Sequence, residues 1–425
     1  YHQGLFHMVL RPGTREQVAV IQEHLTEKYP RVFREGLGKI RGFKHKIRVK
    51  EGAVPVKHKL RGVPFSLRED LETHLVQLCE RGIIEPVESS FWLSPLVVAK
   101  KKSGELRVCV DLRSLNQEIW VDAHPLPKIN ELLNELSGAC WFTKLDLASA
   151  YHQVVLDPDS RHFTAFISPF GTYQYTRMPF GLASAASVFQ RIMECMLKGI
   201  KGVVIFQDDV LIYAPTKQIH ERTLSQVLAV FQEHGVVLRK DKCEFLRESV
   251  EYLGHIISKE GITPRPGLVD AIKEAKQPED KSSLKSFLGL CEFYAKFIPN
   301  YAANMHPLRQ LLKKEVEFEW RQDCQEAFSW VKQELLSAKA LKPFNPEQRC
   351  TITVDASNVG LGAVLTQTEG GVEKTIGYAS RSLRDAEKSY SVIEKELLSC
   401  VWAVEKFKAY LWGRRFTLNT GHKPL

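Results

Sequence analysis

The sequence lacks long hydrophobic runs and any pattern of paired cysteines. Its apolar runs, such as Leu96–Ala99 and Val203–Phe206, are far too short to span a membrane, and the N-terminus lacks the charged-then-apolar order of a signal peptide. The nine cysteines include no C-x-x-C pair and no Cys/His cluster at zinc spacing, which argues against a disulfide framework and against structural zinc. We therefore expect a protein of a reducing compartment without a membrane segment.

The composition is that of an ordinary globular protein. Of the 425 residues, 44% are hydrophobic and 26% are charged, and a chain of this length has room for roughly two to four domains. The net charge of +9 is spread along the chain and favours a polyanionic partner only weakly. Because the sequence starts at Tyr1 without an initiator Met, we expect a fragment of a longer polyprotein.

Two adjacent acids interrupt an apolar stretch, Val203–Tyr213, whose sequence is VVIFQDDVLIY. The apolar halves predict two buried strands of a hairpin with Asp208 and Asp209 at the bend between them. Like charges at a hairpin tip repel unless a cation is present, and a divalent metal bound by carboxylate oxygens is one candidate. An ordinary solvated turn also fits this segment, because Asp favours turns.

A third aspartate, Asp146, ends a predicted strand that begins at Trp141. From Trp141 the pattern predicts strand, helix, strand, strand, helix and strand, which is the split βαβ order of an α+β sheet covered on one face by helices. Such a sheet brings Asp146 beside the acids of the hairpin, although a lone Asp at a strand end is also a common capping residue. Three carboxylates at one place meet the needs of two Mg²⁺ ions about 3.5–4 Å apart.

Further elements follow from apolar spacing and turn residues. The predicted helices are Pro179–Leu197, Leu284–Ile298, Gln325–Leu336 and Val392–Leu411, and another helix begins at a capping box of Ser66 and Glu69 and ends at Gly82. The predicted strands include Val236–Arg239, Tyr252–Ile257 and Cys350–Ala356.

Another predicted hairpin joins Leu96–Ala99 to Leu106–Val110 through a tip that is rich in lysine. A lysine-rich tip often does no more than increase the solubility of a protein. The nearby Arg107 and Arg113 also make a cationic clamp for phosphates a candidate.

Several motifs resemble the reverse transcriptase of gypsy-type LTR retrotransposons and related retroviral polymerases. They are LDLASAYHQ, MPFGLASAASVFQ, FQDDV, YLGHIIS and SFLGLCEFYAKFIPNY, in the order of that family. VDASNVGLGAVL with EKELLSCVWAVEKFKAYLWG resembles the RNase H domain that follows in the same polyprotein. The resemblance covers roughly Ser66 to the C-terminus, and it implies a multidomain α+β fold: a right-hand polymerase with fingers, palm and thumb, followed by a truncated RNase H-like α/β domain.

The resemblance also implies a division of the chain into five segments. These are an N-terminal extension (1–60), the fingers with part of the palm (61–135), the palm with the catalytic aspartates (136–258), the thumb and connection (259–344), and a partial RNase H-like domain (345–425).

Roles for individual residues follow from the matching motifs. The catalytic metal ligands would be Asp146, Asp208 and Asp209. The residues around the incoming dNTP would be Lys102, Arg107, Tyr151 and Phe180, with Lys101 in place of Lys102 if the loop is shifted by one residue. The primer grip would be Tyr252, Leu253, Gly254 and His255.

Tyr151 matches an aromatic residue that excludes a 2′-hydroxyl, the atom that separates ribonucleotides from deoxyribonucleotides. An aromatic residue of the core is the alternative for this position. Two departures from retroviral enzymes lie nearby: Phe180 stands where those enzymes carry Gln, and Phe206 stands where many relatives carry Tyr. We expect polymerisation to survive the change at Phe206, and a Phe in the turn of Phe180 suits the gypsy-type group.

The RNase H-like segment carries the family's first two acids, Asp355 and Glu396. The next acid falls in a T-D-H-x-x-L motif, in which this chain has Gly421, and the chain ends before the fourth. Glu394 is no obvious substitute, because positions two apart on a helix point to different sides. We therefore expect little or no RNA cleavage.

The leading hypothesis is an RNA-directed DNA polymerase that uses two Mg²⁺ ions, with Mn²⁺ as an alternative. Its partners would be an RNA template, a DNA or RNA primer, the RNA–DNA hybrid and dNTPs, without a membrane, in the cytoplasm within a virus-like particle or alternatively in the nucleus. A decayed or domesticated nucleic-acid-binding protein without polymerase turnover is the alternative from another class. An RNA polymerase is disfavoured by Tyr151.

Overall fold

A computed structural model gives the structure of residues 15–100 and 106–421, without the side chains of residues 15–19. The described residues form two compact units. The first is built from the residues up to Lys128 and from Trp141–Arg247, and the second from Ile129–Cys140 and from Glu248 onward. None of the described helices combines the length and the apolarity that crossing a membrane requires.

The described helices are numbered in chain order. They are α1 (Arg15–Lys28), α2 (Arg68–Glu80), α3 (Arg113–Glu118), α4 (Ile129–Glu135), α5 (Ala185–Met196), α6 (Lys217–His234), α7 (Pro266–Glu274), α8 (Lys281–Glu292), α9 (Tyr301–Asn304), α10 (His306–Gln310), α11 (Gln322–Leu336), α12 (Asp385–Lys388), α13 (Val392–Lys406) and α14 (Lys408–Leu411).

The described strands are numbered in the same way. They are β1 (Lys44–His45), β2 (Ile84–Pro86), β3 (Ser94–Lys100), β4 (Leu106–Val110), β5 (Trp141–Asp146), β6 (Val155–Leu156), β7 (Phe166–Ser168), β8 (Gly171–Tyr175), β9 (Val203–Phe206), β10 (Asp209–Ala214), β11 (Glu244–Arg247), β12 (Ser249–Tyr252), β13 (His255–Ser258), β14 (Gly261–Pro264), β15 (Cys350–Ala356), β16 (Gly360–Glu369), β17 (Val372–Ser382) and β18 (Phe416–Thr420).

A four-stranded antiparallel sheet organises the first unit. Its strand order is β11-β5-β10-β9, which is an order that the split βαβ arrangement produces. The alternating sequence of β5 buries Phe142 and Leu145 completely. In β10 the consecutive residues Val210 and Leu211 are both fully buried, so both faces of this strand are covered, as the sequence predicts.

The helices α5 and α6 pack against this sheet. The apolar stripe predicted for α5 is buried, and it consists of Ala185, Val188, Ile192 and Met196. In α6 the side chain of Thr216 caps the first turn by accepting a hydrogen bond from the Ile219 N–H. Together with the sheet, these helices enclose the hydrophobic core of the first unit.

The second unit combines a three-stranded meander, several helices and a further sheet. The meander has the order β12-β13-β14, and the further sheet has the order β17-β16-β15-β18, in which β15 and β18 run parallel. Helix α13 packs against β15 and β16, and a separate hydrophobic core lies around Ile352, Leu365 and Ala403.

Several predicted strands need correction. Val236–Arg239 forms only an isolated antiparallel bridge, between Leu238 and Leu147. The pairing does not extend, because the Gln153 amide lies between the Val237 N–H and the Ala148 carbonyl and bonds to both. The last strand of the four-stranded sheet in chain order is β11. Tyr252–Ile257 is two strands, β12 and β13, joined by a turn at Leu253 and Gly254.

Helix bounds also differ from the predictions. Helix α2 has no capping box, because Pro64 leads into a turn of 3₁₀ helix, Phe65–Leu67, that takes Ser66 into its interior. Helix α5 begins only at Ala185.

Two predicted long helices are shorter in the structure. Helix α8 ends at Glu292, and a short 3₁₀ helix, Ala295–Phe297, follows it. The predicted helix Val392–Leu411 is divided into α13 and α14 at Phe407, whose backbone leaves the helical region.

Candidate active site

The hairpin of β9 and β10 carries two of the three predicted metal ligands. Phe206 pairs with Asp209 across the turn, and Gln207 and Asp208 form the turn itself. Gln207 has a φ of +56°, a left-handed conformation that is uncommon for residues other than glycine. The acids therefore lie at a tight, conformationally strained bend.

The third predicted ligand, Asp146, lies directly opposite Asp209. The two residues are Cα partners in the antiparallel pairing of β5 with β10, a register that separates Cα atoms by about 4.5–5.5 Å. The structure thus brings Asp146 next to the Asp208–Asp209 pair, although the chain separates them widely.

Two basic side chains pair with two of these acids, Asp146 and Asp209. The Nε atom of Arg239 donates a hydrogen bond of 2.9 Å to Oδ1 of Asp146, and Nζ of Lys144 lies 3.7 Å from Oδ1 of Asp209. Neither Arg239 nor Lys144 was singled out from the sequence as part of this site. Both are close enough to compete with a metal ion for the carboxylates.

Burial raises the pKa of Asp209 above its ordinary value. Lys144 opposes this rise, whereas the negative charges of Asp208 and Asp146 add to it. Acids that are crowded in this way favour a bound cation, because each charge makes the others harder to ionise.

The donor set suits a divalent metal, but the side chains are not arranged around one. Among the described residues, no three His, Cys, Asp or Glu side chains converge closely enough to hold a metal ion. The oxygen ligands of Asp146, Asp208 and Asp209 are the type that Mg²⁺ prefers. Metal binding therefore requires the carboxylates to turn away from Arg239 and Lys144.

Tyr151 and Phe180 lie together, as their predicted shared role requires. The two ring centroids are 5.1 Å apart, and the ring of Phe189 lies 5.4 Å from that of Tyr151. Tyr151 belongs to a 3₁₀ helix, Ala150–Gln153, directly after β5, and it is only half-buried on the core. Burial, and then the charge of Asp208, raises its pKa, which indicates that this ring is near the acids.

The predicted phosphate clamp is described only in part. Arg107 is exposed on β4 opposite Ala99, whereas Lys102 and the alternative Lys101 lie outside the described residues. Arg113 is bound by Asp111, through Nε to Oδ1 at 2.8 Å and Nη2 to Oδ2 at 2.7 Å.

Asp111 also accepts a hydrogen bond of 3.0 Å from Nη2 of Arg61. The hydrogen bonds from Arg113 hold the pKa of Asp111 well below its usual range. Arg113 is therefore part of an ion pair, which the sequence did not indicate.

The predicted primer-grip residues belong to the second unit, where they form the turn between β12 and β13. Tyr252 and His255 are buried, and the turn residues Leu253 and Gly254 have φ values of +47° and +77°. The Tyr294 hydroxyl donates a hydrogen bond of 2.7 Å to the Gly254 carbonyl. This hydrogen bond stabilises the conformation of the turn.

The ring of His255 contributes to the same support. Its Nδ1 atom lies 2.8 Å from the Leu253 carbonyl, and the rings of Phe293, Tyr294 and Phe297 surround it. Burial lowers the pKa of His255 to about 3, so this histidine is neutral at physiological pH and can donate that hydrogen bond.

The RNase H-like acids also lie in the second unit. Asp355 is exposed on β15, and Glu396 is buried on α13, where it accepts a hydrogen bond of 3.2 Å from Thr420. Glu394 caps the helix by accepting a hydrogen bond from the Ser391 N–H. Gly421 follows β18 and has open space where a side chain would lie.

Comparisons with known protein families match both parts of the chain. Residues 98–257 match a family described as reverse transcriptase (RNA-dependent DNA polymerase). Residues 320–418 match the RNase H-like domain found in reverse transcriptase.

Curated relatives are polyproteins of transposons. The retrovirus-related Pol polyprotein from transposon 412 of Drosophila melanogaster is 34% identical over 90% of this chain and 31% of its own length. That from transposon opus of the same species is 32% identical over 97% of this chain and 43% of its own length. The Tf2-3 polyprotein of Schizosaccharomyces pombe is 34% identical over 78% of this chain and 25% of its own length. The chain thus spans less than half of each relative.

Solved structures with a similar fold are those of a foamy viral protease-reverse transcriptase. A complex of that protein with dsDNA has a TM-score of 0.87 at 21% identity and covers 97% of this chain and 87% of that chain. A complex with an RNA/DNA hybrid has a TM-score of 0.84 at 20% identity and covers 99% of this chain and 59% of that chain. The predicted multidomain α+β polymerase fold is confirmed.

Proposed function

Because this chain contains the reverse transcriptase and RNase H-like domains of gypsy-type retrotransposon Pol polyproteins, we propose that it is an RNA-directed DNA polymerase. The observation that carries the proposal is the pairing of Asp146 with Asp209 across β5 and β10, with Asp208 adjacent at the turn. Phosphoryl transfer of this kind needs acidic residues at one place and little other covalent chemistry from the protein.

In this mechanism Asp146, Asp208 and Asp209 would hold two divalent metal ions, with Mg²⁺ expected and Mn²⁺ as a substitute. The chemistry supplied by such ions would be activation of the 3′-hydroxyl of a primer and neutralisation of the charge that develops on the leaving pyrophosphate. Tyr151, with Phe180 against it, forms the floor on which the sugar of the incoming nucleotide rests. Arg107 and Lys102 bind its triphosphate.

The proposed substrates are an RNA template, a DNA or RNA primer annealed to it, and dNTPs. The solved complexes of the similar fold with an RNA/DNA hybrid and with dsDNA support nucleic-acid substrates, and so does a net charge of +9, since phosphate backbones attract basic proteins. In the second unit, the buttressed turn at Leu253 and Gly254 is proposed to hold the primer. The division into five domains, the cytoplasmic or nuclear localisation and the oligomeric state stay predictions.

We also propose that the RNase H-like segment does not cleave RNA. Glycine has no ligand atom, so Gly421 removes one carboxylate from a site that also needs two metals. Glu394 does not replace it, because its carboxylate is engaged with the Ser391 N–H at the start of α13.

The test is extension of a labelled DNA primer on a labelled RNA template, with dNTPs and Mg²⁺, in which DNA synthesis and RNA cutting are scored together. We expect extension without RNA cutting. Asp208→Asn should lower the extension rate at least about a hundredfold, since even residues that only support metal ligands cost 10–100-fold. The matched control is Asp159→Asn, at an exposed acid of the first unit.

Two results would contradict the proposal. Full activity of Asp208→Asn would show that this aspartate is not part of the active site. Tight binding of the template–primer without extension at any divalent metal would favour the alternative, a nucleic-acid-binding protein without turnover.

A further inference from the structure

Gln190 is a buried polar residue of α5. The other buried side chains of this helix, such as Val188, Phe189 and Ile192, are apolar, and Gln190 itself is only 1% exposed. A buried amide is costly unless all of its hydrogen-bonding atoms find partners. The partners of Gln190 therefore show why the residue is tolerated there.

The Gln190 amide holds the backbone of the aspartate hairpin on both sides of its bend. Its Nε2 donates a hydrogen bond of 3.0 Å to the carbonyl of Ile205, and its Oε1 accepts one of 2.7 Å from the N–H of Gln207. Ile205 lies on β9, and Gln207 directly precedes Asp208. The Gln190 side chain thus bridges the two sides of the bend.

The conformation of Gln207 needs such support. Its φ of +56° lies in the left-handed region, which is unfavourable for residues other than glycine. Such residues persist where the surrounding structure holds them, and they are frequent at active sites. Within the described residues of this turn, the Gln190 amide supplies the hydrogen bond to the Gln207 N–H.

A second set of contacts fixes the orientation of the amide. Nε2 of Gln190 also donates a hydrogen bond of 2.7 Å to Oε1 of Glu194, and the other oxygen of Glu194 lies 2.8 Å from Nε2 of His124. A flipped amide would point its oxygen at two acceptors and its NH₂ group at the Gln207 N–H. Only one orientation satisfies every partner.

We propose that Gln190 is a positioning residue that sets the bend between β9 and β10 and thereby places Asp208 and Asp209 for metal binding. The inference rests on the proposed function, because it assigns Gln190 to the same metal site. Gln190 touches neither substrate nor metal in this role, and it acts through the backbone of Ile205 and Gln207.

The main variant is Gln190→Met, which keeps the length of the side chain and removes its hydrogen bonds to Ile205, Gln207 and Glu194. The matched control is Gln367→Met in the second unit. The buried Gln367 amide also holds backbone groups, donating to the Asn345 carbonyl at 2.8 Å and accepting from the Asn345 N–H at 2.9 Å. Both variants lose a buried amide that bonds to backbone groups, but only Gln190→Met loses one that bonds to the hairpin of Asp208 and Asp209.

Two readouts do not require polymerase activity. Hydrogen exchange reports the protection of the Gln207 amide, and Mn²⁺ titration followed by electron paramagnetic resonance reports metal affinity. In Gln190→Met we expect Gln207 to exchange at least about tenfold faster and Mn²⁺ affinity to fall about 10–100-fold, the range for lost support of metal ligands. Gln367→Met should match the wild type in both readouts.

A third variant covers the case in which Gln190→Met does not fold. Glu194→Met changes a side chain that is 41% exposed and releases one bond that orients the Gln190 amide. We expect a fall in Mn²⁺ affinity of about threefold, as the loss of one modest hydrogen bond implies.

The inference is overturned if a folded Gln190→Met variant, or Glu194→Met in its place, shows the Gln207 exchange and the Mn²⁺ affinity of Gln367→Met. Absence of primer extension by the wild type would overturn the proposed polymerase function instead. The two failures are distinguishable, because exchange and Mn²⁺ binding are measured without nucleotides or primer.

Discussion

At the scale of single residues, the carboxylate of Asp209 suits metal binding but lowers the folding stability of the metal-free protein. Burial raises its pKa, so its ionised form costs folding free energy at neutral pH. We expect Asp209→Asn to raise the free energy of unfolding of the metal-free protein. The gain should be roughly 0.5 kcal/mol, small because the carboxylate is partly exposed and screened by solvent.

The pH dependence of this gain has a definite sign. A raised pKa in the folded state makes the wild type relatively more stable in acid, so the advantage of Asp209→Asn is largest at neutral pH. It should disappear below the ordinary carboxyl pKa of 3.8. Thermal melting at decreasing pH without divalent metal measures it, with Asp159→Asn as the control. A stabilisation that is independent of pH would contradict the assigned cause.

Tyr151 offers a prediction about the choice of sugar. Tyr151→Ala removes the ring that rests against Phe180 and opens space for a 2′-hydroxyl. We expect the ratio of ribonucleotide to deoxyribonucleotide incorporation to rise about tenfold or more, since small steric differences in a pocket are worth about 1–3 kcal/mol. Single-nucleotide extension with each substrate measures the ratio.

The control for this prediction is Tyr151→Phe, which keeps the ring and should keep the ratio. An unchanged ratio in Tyr151→Ala would mean that the ring does not exclude ribonucleotides. That result would favour an RNA polymerase, the hypothesis that Tyr151 disfavours.

The acids of the candidate site could be identified from the sequence, but the residues that bond to them or position their backbone could not. Asp208 and Asp209 stand out because charges interrupt an apolar run. Arg239 does not, because 93 positions separate it from Asp146 and it lies in a segment predicted as a strand. Gln190 does not stand out either, because its helical neighbours include the polar residues Ser187 and Glu194, and its partners lie on a hairpin that only the fold brings next to it.

At the scale of elements, the turn between β12 and β13 depends on Gly254. This residue has a φ of +77°, and a Cβ atom added there would lie 3.0 Å from the ring of Phe293. Gly254→Ala therefore combines backbone strain of about 1–2 kcal/mol with overpacking of about 1–3 kcal/mol. We expect a loss of unfolding free energy of at least about 2 kcal/mol, measured by urea denaturation.

Gly370→Ala separates the two contributions. Gly370 has a φ of +57° but open space around it, so only the backbone strain should appear. Equal losses in the two variants would show that Phe293 yields to the added methyl group and that the turn is less tightly supported than its contacts imply.

Elements with strong periodicity were predicted well, and elements fixed by side-chain bonds were not. The strand Cys350–Ala356 and the buried stripe of α5 agree with the structure. Val236–Arg239 has the composition of a strand, yet it forms only a single bridge, because the Val237 N–H donates to the Gln153 amide instead of to the Ala148 carbonyl. Propensity cannot reveal such a bond, because its partner lies 84 positions away.

At the scale of the whole molecule, each compact unit has a hydrophobic core of its own. Leu228 lies in the core of the first and Ile352 in that of the second, and both are fully buried. Substitution of either by Ala should cost about 2–5 kcal/mol. We expect hydrogen exchange in denaturant to accelerate mainly in the unit that carries the substitution, because units with separate cores unfold separately.

The two variants are controls for each other in that experiment. Uniform acceleration along the described chain by both substitutions would mean that the units unfold as one cooperative body.

The second unit takes one of its pieces, Ile129–Cys140, from the middle of the sequence of the first. In this piece, the side chain of Asn134 bonds to the Tyr410 hydroxyl and to the N–H of Phe344, partners that lie 276 and 210 positions later. At a synthesis rate of about 5–20 residues per second, α4 leaves the ribosome roughly ten to fifty seconds before these partners exist. The strand that ends at Asp146 follows immediately. During translation, the strand that carries Asp146 is therefore tethered to a helix whose packing partners have not yet been synthesised.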